Sequence, residues 1–172
     1  MAPENRMGTS SMAIDPSTKH TFEIRQALAK VERILASGVL DGTSAGGLHG
    51  EAMFTLLIIH LGDVLQFLES LGSRITFRDD MPETGDVFDI TDLVAKVRGV
   101  ACHVRSDGRT IPMGTAGYGV WFLGPSEMTL GGAHYRHDYS DDIAVVFGRY
   151  RIYLNRHIRR ATVEAKAILG NS

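Results

Sequence analysis

Apolar residues recur at helical spacing in four segments of the chain. The pattern predicts helices over residues 20–37, 51–71, 90–104 and 149–169. The second of these segments is apolar almost all round, which is typical of a central, buried helix. Asp89 precedes the third segment as a predicted N-cap, and the carboxylate of Asp92 follows where negative charge suits the helix dipole.

Two short apolar runs, 118–123 and 143–147, predict β-strands because they are rich in β-branched and aromatic residues and are bounded by turn residues. The segment between them is too long for a tight turn, so a short extra strand or turn is allowed near 128–130. The resulting expectation is a mainly α fold. It is a four-helix bundle with a β-hairpin, at about 118–148, inserted between helices three and four.

Composition is that of one globular domain, with 172 residues, 44% of them hydrophobic. Residues 1–19 show no periodicity and are expected to form a mobile tail, which leaves 20–170 as a single domain. The net charge of −2 means that binding to nucleic acid requires a local basic patch. The single cysteine excludes an intrachain disulfide and fits a reducing, cytoplasmic location.

Membrane and cofactor signals are also absent from the sequence. The longest apolar stretch, 52–61, is far shorter than the roughly 20 residues of a membrane span, so no membrane association is expected. The chain carries no P-loop, no dinucleotide-binding fingerprint and no nucleophile elbow. We therefore expect no cofactor.

The third predicted helix carries Arg98 and His103 on the side opposite its apolar stripe. A guanidinium group can hold a phosphate with two hydrogen bonds, and an imidazole suits proton transfer near neutral pH. About 140° separates the two side chains on a helix, so they line one cleft only where a second chain docks. Without such a partner they are a solvated arginine and a histidine favoured by the helix dipole.

Residues 89–103, DITDLVAKVRGVACH, resemble the R-x4-6-H motif region of the HEPN superfamily. The resemblance implies a homodimer in which the two copies of the motif face each other. It also implies an endoribonuclease that cuts RNA without metal and serves as a toxin or in defence against phages. Arg98 would then position or stabilise the scissile phosphate, and His103 would transfer a proton or hold the phosphate. Gly99 stands where the family often has Asn, Asp or His. The alternative is therefore an inactive HEPN-like dimer that binds RNA or a protein partner, such as an antitoxin or a nucleotidyltransferase.

The last predicted helix carries a second candidate site, for RNA binding. Arg149, Arg156 and Arg160 project within about 40° of one another on an ideal helix, and Tyr153 lies close to them. Cations with an aromatic ring among them can follow a phosphate backbone. The alternative is a solvated face that pairs with carboxylates of the connector before helix three, at Asp79, Asp80, Glu83 and Asp86.

Two further groups of polar residues have ordinary explanations. His134, His137 and Asp138 are close in sequence, but no further ligands follow at a fixed spacing, so no metal site is predicted. His60 and Asp63 lie one turn apart on the apolar second helix. We expect them to form a hydrogen-bonded pair within the core.

Overall fold

The computed structural model describes residues 16–42, 45–103, 106–115 and 119–170, without the side chains of 16–19 and 115. Four α-helices occupy these residues: α1 (Pro16–Ala36), α2 (Leu48–Ser70), α3 (Ile90–Cys102) and α4 (Arg160–Gly170). Seven short strands lie between α3 and α4. They are β1 (Thr110–Ile111), β2 (Gly114–Thr115), β3 (Val120–Phe122), β4 (Ser126–Leu130), β5 (Ala133–His137), β6 (Ala144–Phe147) and β7 (Tyr150–Tyr153).

The first three helices confirm the predictions made from apolar periodicity, although their ends differ from the predicted ones. Because α1 begins at Pro16, the predicted tail is wrong for residues 16–19, while 1–15 lie outside the described residues. The α3 N-cap is confirmed, since the Asp89 carboxylate accepts the backbone N–H of Asp92 at 3.0 Å. At its other end α3 stops at Cys102, earlier than expected, and His103 is the C-cap.

The central element is α2, which contacts α1, α3 and α4. Nine of its residues are buried, including Phe54, Leu57 and Leu61. By length and composition alone α2 could cross a membrane. In the structure one side of α2 instead packs within the core, and polar residues such as His60 and Asp63 lie on its other side.

The predicted mainly α bundle with one inserted hairpin is wrong, because a β-sheet forms part of the core and makes the fold α+β. Strands β3, β6 and β7 form an antiparallel sheet with β6 in the middle, where Val146 faces both Val120 and Arg151. All four β6 residues are buried. Val145 and Phe147 join the helical core, whereas Ala144 and Val146 pack with the β4–β5 hairpin. A strand covered on both faces is a continuous apolar run, as 143–147 is.

The predicted helix over 149–169 is wrong in its first part. Gly148 and Arg149 form a two-residue turn from β6 into β7, and the helix begins only at Leu154. Its opening stretch, Leu154–Arg159, is π-helical and continues into α4. Gly148 has a φ of +57°, and a Cβ there would lie 1.9 Å from the Gly108 carbonyl oxygen, so the turn requires glycine.

The segment between the two predicted strands forms the β4–β5 hairpin, which confirms the extra strand expected near 128–130. Gly131 and Gly132, with φ of +53° and +79°, make its turn. The hairpin is fastened to the sheet by the hydroxyl of Tyr135, which donates to the Gly148 carbonyl oxygen at 2.8 Å. The β3–β6–β7 sheet thus lies between the helices and the β4–β5 hairpin, which covers its other face.

Candidate functional site

Arg98 lies on α3 and reaches across α2. Its Nη2 is 3.0 Å from Asp63 Oδ1, and its Nη1 is 3.5 Å from Gln66 Oε1. Gly62 makes room for this crossing, since a Cβ on Gly62 would lie 3.1 Å from Arg98 Cδ. The Arg98 side chain keeps 31% of its surface exposed. Its guanidinium is therefore held in place from one side and remains open to a ligand.

The expected core pair of His60 and Asp63 is not what the structure shows. Asp63 is 39% exposed and pairs with Arg98 instead. His60 is partly buried. Burial lowers the pKa of His60, the positive charge of Lys30 lowers it further, and Asp63 opposes both effects. Asp63 is thus a site residue whose only sequence signal was a carboxylate on an otherwise apolar helix.

His103 lies just past the end of α3. With φ of −120° and ψ of 112° it has left the helical conformation, so the helical angle of about 140° to Arg98 does not apply. Its backbone N–H donates to the Gly99 carbonyl oxygen at 3.1 Å, and its own carbonyl accepts from Ser106 at 3.0 Å. The residue is exposed, and within the described chain no hydrogen bond or ion pair engages its imidazole.

Gly99 and Cys102 complete the surface between Arg98 and His103. Cys102 is exposed, and a Cβ on Gly99 would meet nothing within 4 Å. We call these four residues the α3 outer face. They comprise a cation held by Asp63, an exposed imidazole and a backbone position that no neighbouring atom covers. That combination can bind a phosphate group and exchange a proton with it.

A groove between α1 and α2 adjoins Arg98, because Asp63 and Gln66 line the groove and also hold the arginine. Its volume is about 510 Å³, within the range of small-ligand sites. At one end the rings of His20 and Phe67 lie 5.0 Å apart. The lining therefore combines aromatic surface with hydrogen-bonding groups close to the proposed phosphate-binding arginine.

The predicted RNA-binding track does not form, because its four residues are not on one helix. Arg149 is in the β6–β7 turn, Arg156 is in the π-helical stretch, and Arg160 begins α4. Tyr153 ends β7 and is only 1% exposed. Burial raises the pKa of Tyr153 to about 12. A ring enclosed in this way cannot stack on an RNA base.

The alternative interpretation of these arginines, ion pairing with the connector, is what the structure shows. The pairing with Arg160 lowers the pKa of the Asp79 carboxyl. Each guanidinium also lies over an aromatic ring, which adds a cation–π contact. The three connector pairs are Arg149–Asp86 at 2.8 Å, Arg156–Asp80 at 3.6 Å and Arg160–Asp79 at 2.6 Å.

Asp142 organises the start of the last helix. Its carboxylate is fully buried and accepts the backbone N–H groups of Asn155 at 2.8 Å and Arg156 at 2.9 Å. The Arg156 guanidinium lies 3.3 Å from the same carboxylate and 3.6 Å from the ring centroid of Tyr139. Arg156 is therefore part of the folded framework, with its charge already matched.

The histidines near residue 135 lie in strand β5, where they point to opposite faces. His137 is buried, with Nε2 2.9 Å from the Asp142 carbonyl oxygen. His134 is exposed and lies 3.6 Å from Glu127. Over the described ranges no three His, Cys, Asp or Glu side chains come together in a way that could hold a metal ion.

Arg98 thus borders the α1–α2 groove through Asp63 and Gln66, and His103 lies exposed just past the end of the same helix. Arg98 and His103 remain the site residues that the sequence singled out, and Asp63 joins them through its ion pair. Comparison of the chain with protein-family models, with curated proteins and with solved structures finds no match.

Proposed function

We propose that the protein is a metal-independent HEPN-type endoribonuclease of the toxin or phage-defence kind, acting as a homodimer in the cytoplasm. One observation supports this more than any other. Arg98 is held by Asp63 at 3.0 Å, while His103, just beyond the end of the same helix, is exposed and unengaged by the described residues. A positioned cation and an accessible imidazole are the two groups that cleavage of a phosphodiester without metal requires.

The chemistry needs only groups of this kind. The imidazole of His103 takes the proton of the RNA 2′-hydroxyl, and the 2′-oxygen attacks the adjacent phosphorus. Arg98 stabilises the negative charge that accumulates on the phosphoryl oxygens. The bond to the 5′-oxygen breaks, and this oxygen takes a proton from the second copy of His103 in the dimer. The products are a 2′,3′-cyclic phosphate and a 5′-hydroxyl.

A second candidate function is an inactive HEPN-like dimer that binds RNA or a protein partner, such as an antitoxin or a nucleotidyltransferase. The ion pair with Asp63 favours it, because that carboxylate already neutralises much of the charge that Arg98 would offer to a phosphate. Gly99 favours it as well, since it supplies no polar side chain to the α3 outer face.

The test is incubation of purified protein with mixed single-stranded RNA in EDTA, followed by analysis of the fragment ends. Wild-type protein should leave 2′,3′-cyclic phosphates, and His103→Ala should lower the rate by about 100-fold or more. His49→Ala, which changes an exposed histidine on α2, is the matched control and should cleave normally. Full activity in His103→Ala would exclude the proposed mechanism. RNA binding without cleavage by a folded dimer would favour the inactive module.

A further inference from the structure

Three arginines from separate positions line one cleft beneath the β4–β5 hairpin. Arg136 lies on β5, Arg149 in the β6–β7 turn and Arg151 on β7. The connector forms the opposite wall through residues 82–84, among them the acidic Glu83. We call this depression, of about 240 Å³, the arginine cleft. Three guanidinium groups around one depression form a candidate anion site, because an anion between them reduces their mutual repulsion.

Arg151 is the least satisfied of the three. Its Nη1 donates to the Arg136 carbonyl oxygen, and its guanidinium carbon lies 5.1 Å from the Tyr153 ring centroid. Its Nε is buried and has no hydrogen-bond acceptor among the described residues. No carboxylate of the described residues forms an ion pair with its guanidinium either. Buried charged donors are normally hydrogen-bonded. Arg151 thus lines the cleft with a donor for which the described residues supply no acceptor.

The other two arginines keep donors available to the cleft. Arg136 pairs with Asp138 at 2.5 Å and Arg149 with Asp86 at 2.8 Å. A guanidinium has five N–H donors, so one carboxylate does not exhaust it. Arg149 also donates from Nε and Nη2 to the Tyr150 hydroxyl, at 3.1 and 3.0 Å, and no described acceptor engages its Nη1. The two side chains are 67% and 44% exposed, respectively. Both can therefore turn part of their hydrogen-bonding capacity toward an incoming anion.

We propose that the arginine cleft binds a phosphate group through Arg136, Arg149 and Arg151. Planar guanidinium groups match the paired oxygens of phosphate and form short, charge-assisted hydrogen bonds with them. The volume is below the roughly 300–1,000 Å³ of drug-sized sites, which fits one phosphate group with a small substituent. The phosphate is either free or part of an RNA backbone. This site is separate from the α3 outer face and does not depend on RNA cleavage.

Two titrations of the full chain test the proposal, one with inorganic phosphate and one with a short single-stranded RNA, each followed by calorimetry. Arg151→Gln and Arg136→Gln should each weaken binding by about tenfold or more. The matched control is Arg159→Gln, which removes an arginine paired with Asp41 at 3.3 Å and should bind as wild type does. Arg136→Gln also guards against misfolding, because its exposed side chain pairs only with Asp138 among the described carboxylates.

The outcomes separate the two sources of phosphate. Binding of inorganic phosphate that both variants weaken identifies a site for free phosphate or a phosphate monoester. Binding of RNA alone, weakened by both variants, identifies a backbone contact. The proposal is wrong if wild-type protein binds neither probe. It is equally wrong if Arg136→Gln and Arg151→Gln bind as tightly as Arg159→Gln.

Discussion

Asp63 on α2 holds Arg98 on α3 through an ion pair of 3.0 Å, and each side chain remains about one-third exposed. The pair has two opposite consequences for phosphate binding. It restricts the guanidinium to one position, which favours a geometry suited to catalysis. It also places a negative charge where a phosphate would approach, which weakens binding.

Asp63→Asn separates these two consequences, because it removes the charge and nearly preserves the shape. We expect RNA affinity to rise by up to about fivefold, since exposed ion pairs contribute roughly 0.2–1 kcal/mol. The single-turnover cleavage rate should fall, because Arg98 is less well fixed. Fluorescence anisotropy and single-turnover kinetics measure the two effects. Asp41→Asn, which breaks the exposed pair with Arg159, should change neither, and an unaltered RNA affinity in Asp63→Asn would contradict this interpretation.

Arg160 is expected to contribute little to RNA binding, because its guanidinium is already engaged by Asp79 at 2.6 Å and Glu164 at 3.0 Å. Arg160→Gln should therefore leave both the RNA affinity and its salt dependence unchanged. Arg98→Gln should weaken binding and reduce the slope of log K against log salt by about 0.7, the value for one phosphate contact on a single strand. A reduced slope in Arg160→Gln would restore that residue to the RNA interface.

Asp142 should be the more important of two neighbouring carboxylates for stability. Asp142→Ala leaves three backbone N–H groups and the Arg156 guanidinium without their buried acceptor, at a cost of about 3 kcal/mol. Asp141→Ala removes a side chain that also pairs with Arg156 but is 72% exposed, so it should cost less than about 1 kcal/mol. Urea unfolding followed by circular dichroism compares the two, and equal midpoints would show that the buried hydrogen bonds to Asp142 contribute little to stability.

His157 makes stability depend on pH on the acid side. It is fully buried, and burial lowers the pKa of His157, while Nδ1 accepts the Tyr153 N–H and Nε2 donates to the Asp79 carbonyl oxygen. In the unfolded chain histidine takes up a proton below its ordinary pKa of about 6.5. The stabilising contribution is therefore complete above that pH and is lost as the pH falls below it. The slope reaches about 1.4 kcal/mol per pH unit.

His157→Gln should flatten this dependence between about pH 6.5 and 5. The variant is expected to be less stable at pH 8, because glutamine does not reproduce both hydrogen bonds. His60 has a lowered pKa as well, so part of the slope should remain. Urea midpoints over this pH range give the slope, with exposed His49→Gln as the control that should behave as wild type. A slope in His157→Gln equal to that of wild type would exclude His157 as its source.

The spacing of apolar residues predicted α1, α2 and α3 correctly because each has a continuous apolar stripe. The same spacing placed the start of the last helix too early. Tyr150, Leu154 and Ile158 are spaced four apart, as on a helix, yet Tyr150 and Ile152 also alternate as in a strand. Pairing with β6 decides between the two, and β6 is itself stabilised by distant helices. The propensity of residues 149–153 does not reflect this pairing, so the sequence predicted a helix there. The predicted RNA track depended on that helix, which in the structure begins only after β7.

The candidate site, like the fold, could be predicted only in part from the sequence. Arg98 and His103 could be selected from local spacing on one helix. Their surroundings depend on tertiary contacts: Asp63 meets Arg98 only because α2 and α3 cross closely at Gly62. The arginine cleft depends on the β4–β5 hairpin folding over β7, which no sequence pattern in the segment specified. For the first of these two sites the residues could be selected from sequence, whereas the contacts that surround either site could not.

Gly99 offers the sharpest test of the proposed nuclease, because it lies on α3 with open space around it. Gly99→Asn supplies the polar side chain that the HEPN motif often has after the arginine, and a Cβ there meets nothing within 4 Å. We expect faster RNA cleavage in Gly99→Asn, measured under single-turnover conditions in EDTA. Gly99→Ala is the control. It should stabilise the helix by about 0.5–1 kcal/mol and leave the cleavage rate unchanged. If both variants cleave alike, the helix rather than the amide accounts for any change. If neither variant nor wild type cleaves while all three bind RNA, the inactive binding module is the better description.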